Sequence, residues 1–422
     1  MAAKRRGRAL SKIETIEADP AHHLNGPFAP QTPLDMDSSV SDSPPNVSQT
    51  RNSSAERAAE STGLWSDIKT GRWIVRPASS FKLMLIPIVL YYNWEWIQSY
   101  LGTNHPNPFE PMLYISHRIP DSPEDDPRYH KGYMDLVFVA YHMIVWSFVR
   151  QFITLNICRP TARYFGLNKQ SKIERFGEQA YAIVYFGFFG AWGYASPLYR
   201  IMGQLPTWWY NTKYFWIDYP HWDMKPELKR YYLMQAAYWC QQLLVMLLRL
   251  EKPRSDYAEL VAHHFVTLWL IGWSYLINMT FIGNAVYMSM DIPDWFLAVS
   301  KLLNYLKLDH SKIVSFVVFM GMWSYFRLYL NFVMLWSVWF EFDLMPETSK
   351  RWYPEDGVWL VWWMKYQIFA PLLLLLCLNL FWYYYILRIA YRAVFAPPDQ
   401  VTDDRSDDED DDAEPETDEK KN

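Results

Sequence analysis

Apolar residues along this chain gather into eight runs of roughly 20 residues, the length a helix needs to cross about 30 Å of hydrocarbon. They lie near 81–101, 133–157, 179–199, 231–250, 260–280, 284–304, 312–340 and 358–390. Each predicts a transmembrane helix, so the chain reads as an all-α integral membrane protein. Up to about Lys69 and again after Pro397 this pattern vanishes, and polar and charged residues follow one another with few aromatics. Such segments cannot offset their chain entropy by burial, so both tails are expected to be disordered. The expected organisation is a tail over 1–68, a juxtamembrane segment over 69–80, a first span with its loop over 81–130, a helical domain over 131–395 and an acidic tail over 396–422.

Composition sharpens this picture. The chain has 422 residues, 51% hydrophobic and 18% aromatic, and a mean hydropathy of −0.16 averages two unlike materials. The net charge of −5 excludes little, because the run Asp403 to Asp412 supplies most of the acidity. No basic surface motif points to nucleic acid. Cys158, Cys240 and Cys377 are an odd, widely spaced set that suits packing rather than disulfides or zinc. The first 30 residues hold no apolar stretch, so the first span is expected to act as the targeting signal. Arg159, Arg163, Lys169, Lys172, Arg175, Lys252, Arg254, Lys307 and Lys312 all fall in loops on the same side as the two tails. That bias places both termini in the cytosol. Two glycosylation sequons, Asn46-Val47-Ser48 and Asn52-Ser53-Ser54, report on this orientation.

Polar residues inside spans need a reason, because each ionisable group there costs about 2.5–3.5 kcal/mol on insertion scales. Two consecutive spans concentrate them. In the fifth, at about 100° per residue, His263, Thr267, Ser274, Asn278, His264 and Tyr275 fall within one arc of roughly 120°. In the sixth, Asn284, Asp291, Tyr287, Tyr305, Asp294 and Lys301 share an arc of about 100°. A tight turn near Gly283 joins the two, so both stripes are expected to face a common cavity. A polar seam that only holds helices together would use Ser, Thr and small residues rather than two imidazoles and two carboxylates. A metal site is disfavoured: His263 and His264 diverge on a helix, and no H-x-x-H or H-x-x-x-H pair is present, although one His with Asp291 and Asp294 remains a conceivable ligand set. His142, alone in its span, reads as a hydrogen-bonded structural histidine. Arg327 is placed to neutralise a buried carboxylate such as Asp291, or to meet a phosphate.

These residues resemble a known family. Glu251-Lys252-Pro253-Arg254-Ser255-Asp256-Tyr257, then His263-His264, Thr267, Ser274-Tyr275, Gly283, Met290-Asp291-Ile292-Pro293-Asp294, Ser300-Lys301 and Asn304-Tyr305 are similar to the Lag motif. That motif lies within the TLC domain of ceramide synthases. Gln235-Ala236-Ala237-Tyr238-Trp239, Gln241-Gln242 and Glu178-Gln179-Ala180-Tyr181 resemble the same domain, and the resemblance covers about 80–395. It is strongest to the fungal branch, through the acidic Ser/Asp/Glu tail and the lack of a homeobox-like segment.

The resemblance implies a TLC-type helical bundle or barrel around a lipid cavity, with the TLC domain over 131–395, in the endoplasmic reticulum membrane. It implies N-acylation of a sphingoid base by acyl-CoA, with His263, His264, Asp291 and Asp294 as the catalytic set and no cofactor beyond acyl-CoA as substrate. One histidine near its ordinary pKa of about 6.5 would serve as base, or carry the acyl group as a relay, with carboxylate support. Substrate contacts are expected from Lys252 and Arg254 toward CoA phosphates, and from Tyr275, Asn278 and Arg327. Membrane lipids, a small single-span accessory subunit and a homo- or hetero-oligomer with a paralogue are the expected partners; nucleic acid is not. The segment 341–357 is expected to influence acyl length, with a lean to long or very long chains. Ser406, followed by Asp407-Asp408-Glu409, fits an acidophilic kinase of the casein kinase 2 type. The rival from another class is a non-catalytic TLC-type protein that binds or senses lipid. Loss of the His or Asp pair would mark it, and this chain keeps both.

Overall fold

The computed structural model describes residues 63–195, 205–248 and 256–395. Lys252, Arg254, Ser406, both sequons and most of the two tails lie outside the described residues. Each of the eight apolar runs coincides with a long helix: α1 (Pro77–Leu101), α2 (Met134–Ile153), α3 (Gln170–Gly190), α4 (Pro226–Leu247), α5 (Tyr257–Leu276), α6 (Thr280–Tyr305), α7 (Asp309–Met322, continuing to Phe340) and α8 (Met364–Phe395). Pro77 and Pro226 stand in the first turns of α1 and α4, where a missing N–H breaks no helical hydrogen bond. Gly102, at φ 65°, closes α1. Among the described residues no β-strand forms beyond isolated bridges such as Tyr129 with Met224.

Three helical stretches, Met134–Tyr164, His310–Phe340 and Met364–Phe395, are long and apolar enough to cross a membrane on composition alone. In the others, polar residues such as Glu95, Gln235, His263 and Asp291 dilute the hydropathy. Helix α6 packs against α3 and α7, α2 against α1 and α4, α4 against α5, and α8 against both α5 and α7.

Two boundaries differ from expectation. Helix begins at Leu64, ahead of the limit set at 69, because Asp67 ties the segment back to α1: it accepts from Ser79 Oγ at 2.5 Å and pairs with Arg76 at 3.0 Å. Those partners hold the Asp67 carboxyl below its usual range, with the serine contribution first. The turn between α5 and α6 sits at Asn278, not Gly283. Asn278 takes φ 61°, a left-handed conformation asparagine tolerates. The N–H groups of Met279 and Asn278 bond back to the carbonyls of Ser274 and Tyr275 in a Schellman closure. Gly283 lies inside α6, where any Cβ would strike the Tyr232 hydroxyl and Ser274 Oγ, so it permits close approach of α6 to α4 and α5.

The turn end of α5 is stitched by polar groups. Lys229 Nζ pairs with Asp135 at 2.8 Å and donates to the carbonyls of Ser116 and His130. Tyr275 donates to Asp135 Oδ2 at 2.7 Å, and Asn278 Nδ2 to the Gly357 carbonyl at 2.8 Å. Tyr275 and Asn278 thus both bond to the scaffold at this end of α5. The segment 341–357 docks at this end, with Glu341 accepting from Thr212 and Ser349 donating to Tyr219 O.

Candidate active site

His263 and His264 sit in the second turn of α5, each 7% exposed. Adjacent positions diverge on a helix, and their rings stand at 90° with centroids 5.7 Å apart. His264 Nδ1 lies 2.8 Å from the Leu260 carbonyl. A carbonyl only accepts, so Nδ1 carries the proton and Nε2 of the neutral ring keeps a lone pair. His263 Nδ1 is buried with no hydrogen-bond partner among the described residues, and its ring meets Trp382 edge-on at 5.4 Å.

Asp291 and Asp294 lie one turn apart on α6, with Pro293 between them. Their partners differ. Asp291, 1% exposed, accepts from Gln235 Nε2 at 2.5 Å through Oδ2, while its buried Oδ1 has no hydrogen-bond partner among the described residues. Asp294 Oδ2 pairs with Arg327 Nη2 at 2.6 Å. The same guanidinium donates to the Met290 carbonyl at 3.1 Å and to Asn379 Oδ1 at 3.2 Å, and it rests over the Trp323 ring at 4.3 Å. Arg327 thus pairs with a carboxylate of the site, that of Asp294 rather than Asp291. Arg327 lies within a π-helical segment of α7, Trp323–Tyr329. Such segments are frequent at functional sites.

Two cavities meet here. The wider one, about 590 Å³, is lined by His263, His264, Asp294 and Arg327, and by Lys301, Asn304 and Lys312. The narrower one, about 50 Å³, follows α5 through Thr267, Ile271, Ser274 and Ile277, and is bounded by Asp291 and by Leu372 and Leu375 of α8. Trp239 and His263 line both. The polar stripes of α5 and α6 are thereby shared out: His263, Thr267, Ser274, Tyr287 and Asp291 face the narrow cavity, whereas His264, Asp294 and Lys301 face the wide one.

Sequence reasoning missed several neighbours. Asn379 stands alone in an apolar run of α8, a signal that was legible. Trp239 lies in a stretch already noted, and Trp382 carried no signal at all. Among the described residues no three His, Cys, Asp or Glu side chains converge in a metal-holding cluster. His142 Nδ1 donates to Phe138 O, 2.9 Å away, and its ring stacks on that of Phe138.

Residues 175–388 match the TLC domain family. The chain is 38% identical over 351 residues to sphingosine N-acyltransferase lac1 of Schizosaccharomyces pombe, covering 80% of this chain and 81% of that protein. It is 37% identical over 289 residues to ceramide synthase LAG1 of Saccharomyces cerevisiae, covering 68% and 67%. It is also 28% identical over 248 residues to ceramide synthase hyl-2 of Caenorhabditis elegans, covering 58% and 71%.

Proposed function

Since the chain belongs to the TLC-domain family, within its sphingosine N-acyltransferases, we infer that it transfers the acyl group of acyl-CoA to the amine of a sphingoid base, giving a ceramide. One observation supports a catalytic rather than a lipid-holding role. Two buried histidines and a carboxylate with an oxygen unpartnered among the described residues gather where a wide cavity, lined in part by lysines, meets a narrow apolar one.

The wide cavity suits the CoA arm, with Lys301 and Lys312 of its lining toward the phosphates. Lys252 and Arg254, outside the described residues, belong to the same proposed phosphate contacts. The narrow cavity, apolar and about 50 Å³, takes only the first carbons of an acyl chain. From His263 to Ile277, just past the end of α5, its lining spans 14 residue steps, about 21 Å of helix, and the segment 341–357 anchors at its far end.

The sphingoid amine, once neutral, attacks the thioester carbon. His264 Nε2 takes the N–H proton as the C–N bond forms, and His263 donates to the developing oxyanion. The C–S bond then breaks, and the proton passes to the departing thiolate as free CoA thiol. Asp291 Oδ1 orients the amine, and the Asp294–Arg327 pair supports the cavity wall between α6 and α7. An acyl group carried first on His263 uses the same geometry. No cofactor beyond acyl-CoA enters the step.

The eight helices are proposed to span the endoplasmic reticulum membrane, ringed about this cavity, with both termini in the cytosol. A small single-span subunit and association with a second copy or a paralogue are proposed alongside, and Ser406 as a phosphorylation site. On this topology Asn46 and Asn52 stay unmodified in cells; an endoglycosidase-sensitive mass shift lost in Asn46→Gln/Asn52→Gln would overturn the orientation. The activity itself is tested with purified protein, a sphingoid base and acyl-CoA. Ceramide and free CoA thiol should appear in equal amounts, and a protein that binds both lipids without forming amide would contradict it.

A further inference from the structure

Asp291 does not hold its geometry alone. Gln235 on α4 is fully buried, and its amide is saturated: Nε2 donates to Asp291 Oδ2 at 2.5 Å and to the Tyr231 hydroxyl at 3.1 Å, while Oε1 accepts from the Tyr185 hydroxyl at 2.5 Å. Tyr185, on α3, is 2% exposed, and its ring is stacked on Tyr238 with centroids 3.4 Å apart. Neither Gln235 nor Tyr185 lines either cavity. Three helices are therefore joined by one chain of hydrogen bonds that ends on a carboxylate of the reacting site.

The direction of that chain follows from donor chemistry. An amide can turn either end toward Asp291, and only its NH2 end is compatible with a carboxylate. The Tyr185 O–H needs an acceptor, and pointing Oε1 at it forces NH2 toward Asp291. We propose that Tyr185 and Gln235 form a positioning relay: Tyr185 fixes the amide of Gln235, and Gln235 fixes Asp291 so that its unpartnered Oδ1 faces the narrow cavity beside His263. This rests on the catalytic reading of Asp291 given above. It differs from a seam that only packs helices, because a seam needs no particular amide orientation and no free carboxylate oxygen.

The relay is separable from packing by kinetics. Gln235→Met preserves approximate volume and removes the donor. It should lower kcat about 10- to 100-fold, the range of a hydrogen bond to a charged group, with the KM for both substrates unchanged. Tyr185→Phe should lower kcat less, by about 3- to 10-fold, because the amide still points correctly part of the time. Since Tyr185 acts only through Gln235, the double variant should be no slower than Gln235→Met.

The measurement is steady-state ceramide formation by full-length purified protein, normalised to folded enzyme by a melting curve in detergent, with Asp291→Asn beside it. Multiplicative loss in the double variant, or wild-type kcat per folded molecule in Gln235→Met, overturns the relay. If Gln235→Met does not fold, Tyr185→Phe decides alone: kcat and KM both unchanged contradict it. An active Asp291→Asn enzyme would instead overturn the role of Asp291, and so separates the two failures.

Discussion

Asp291→Asn and His264→Asn are each expected to slow ceramide formation by about 10²- to 10⁴-fold, the contribution typical of a positioned acid or base. Both substitutions are chosen to spare the scaffold. Asn at 291 still offers an oxygen to Gln235 Nε2, now 2.5 Å from Asp291 Oδ2. What changes is the other atom, which turns from an acceptor into a donor toward the narrow cavity. Asn at 264 places an amide nitrogen where Nδ1 stands and so keeps the bond to Leu260 O, while deleting Nε2. Initial rates under saturating acyl-CoA and sphingoid base, with the amount of folded protein matched, check both. Rates within a few-fold of wild type in either variant would remove that residue from the mechanism.

A second large effect concerns stability. Arg327 is 3% exposed and the Asp294 side chain 18% exposed, so their ion pair is largely withdrawn from water. Removing one partner of such a pair strands a charge, at a cost of about 3–5 kcal/mol. Arg327→Met should therefore lower the melting temperature of the detergent-purified protein sharply. Asp294→Asn should lower it less, since Arg327 keeps Met290 O and Asn379 Oδ1 as acceptors. The double change Arg327→Met with Asp294→Leu should recover most of the loss, because neither charge is then left unpaired. Equal destabilisation by the single and double changes would show that the pair does not order α6 against α7.

Much of this architecture was legible in the chain. Each apolar run overlaps one of the eight long helices, most within about six residues, while the third, read as 179–199, is displaced by nine from the helix Gln170–Gly190. The polar stripes of α5 and α6 located the site, because ionisable groups in apolar helices are expensive and so informative. Periodicity could not say where a stripe ends. Tyr275 and Asn278 share the arc of His263, yet they lie beyond the cavity and hold Asp135 and Gly357 O. Nor could it choose between carboxylates for Arg327, because the periodicity of one helix does not set which residues it meets on another. The turn was misplaced for a related reason: Asn278 supplied the left-handed residue that a glycine is usually assumed to supply.

The central claim is that the histidines at the meeting of the two cavities carry out the acyl transfer. Its most direct test is the initial rate of ceramide formation by His263→Ala/His264→Ala protein beside wild type, from acyl-CoA and a sphingoid base, with equal folded protein verified by melting. Wild type should form ceramide with one CoA thiol released per amide, and the double variant should fall at least about 10³-fold below it. Near-wild-type turnover from a folded double variant would contradict the account.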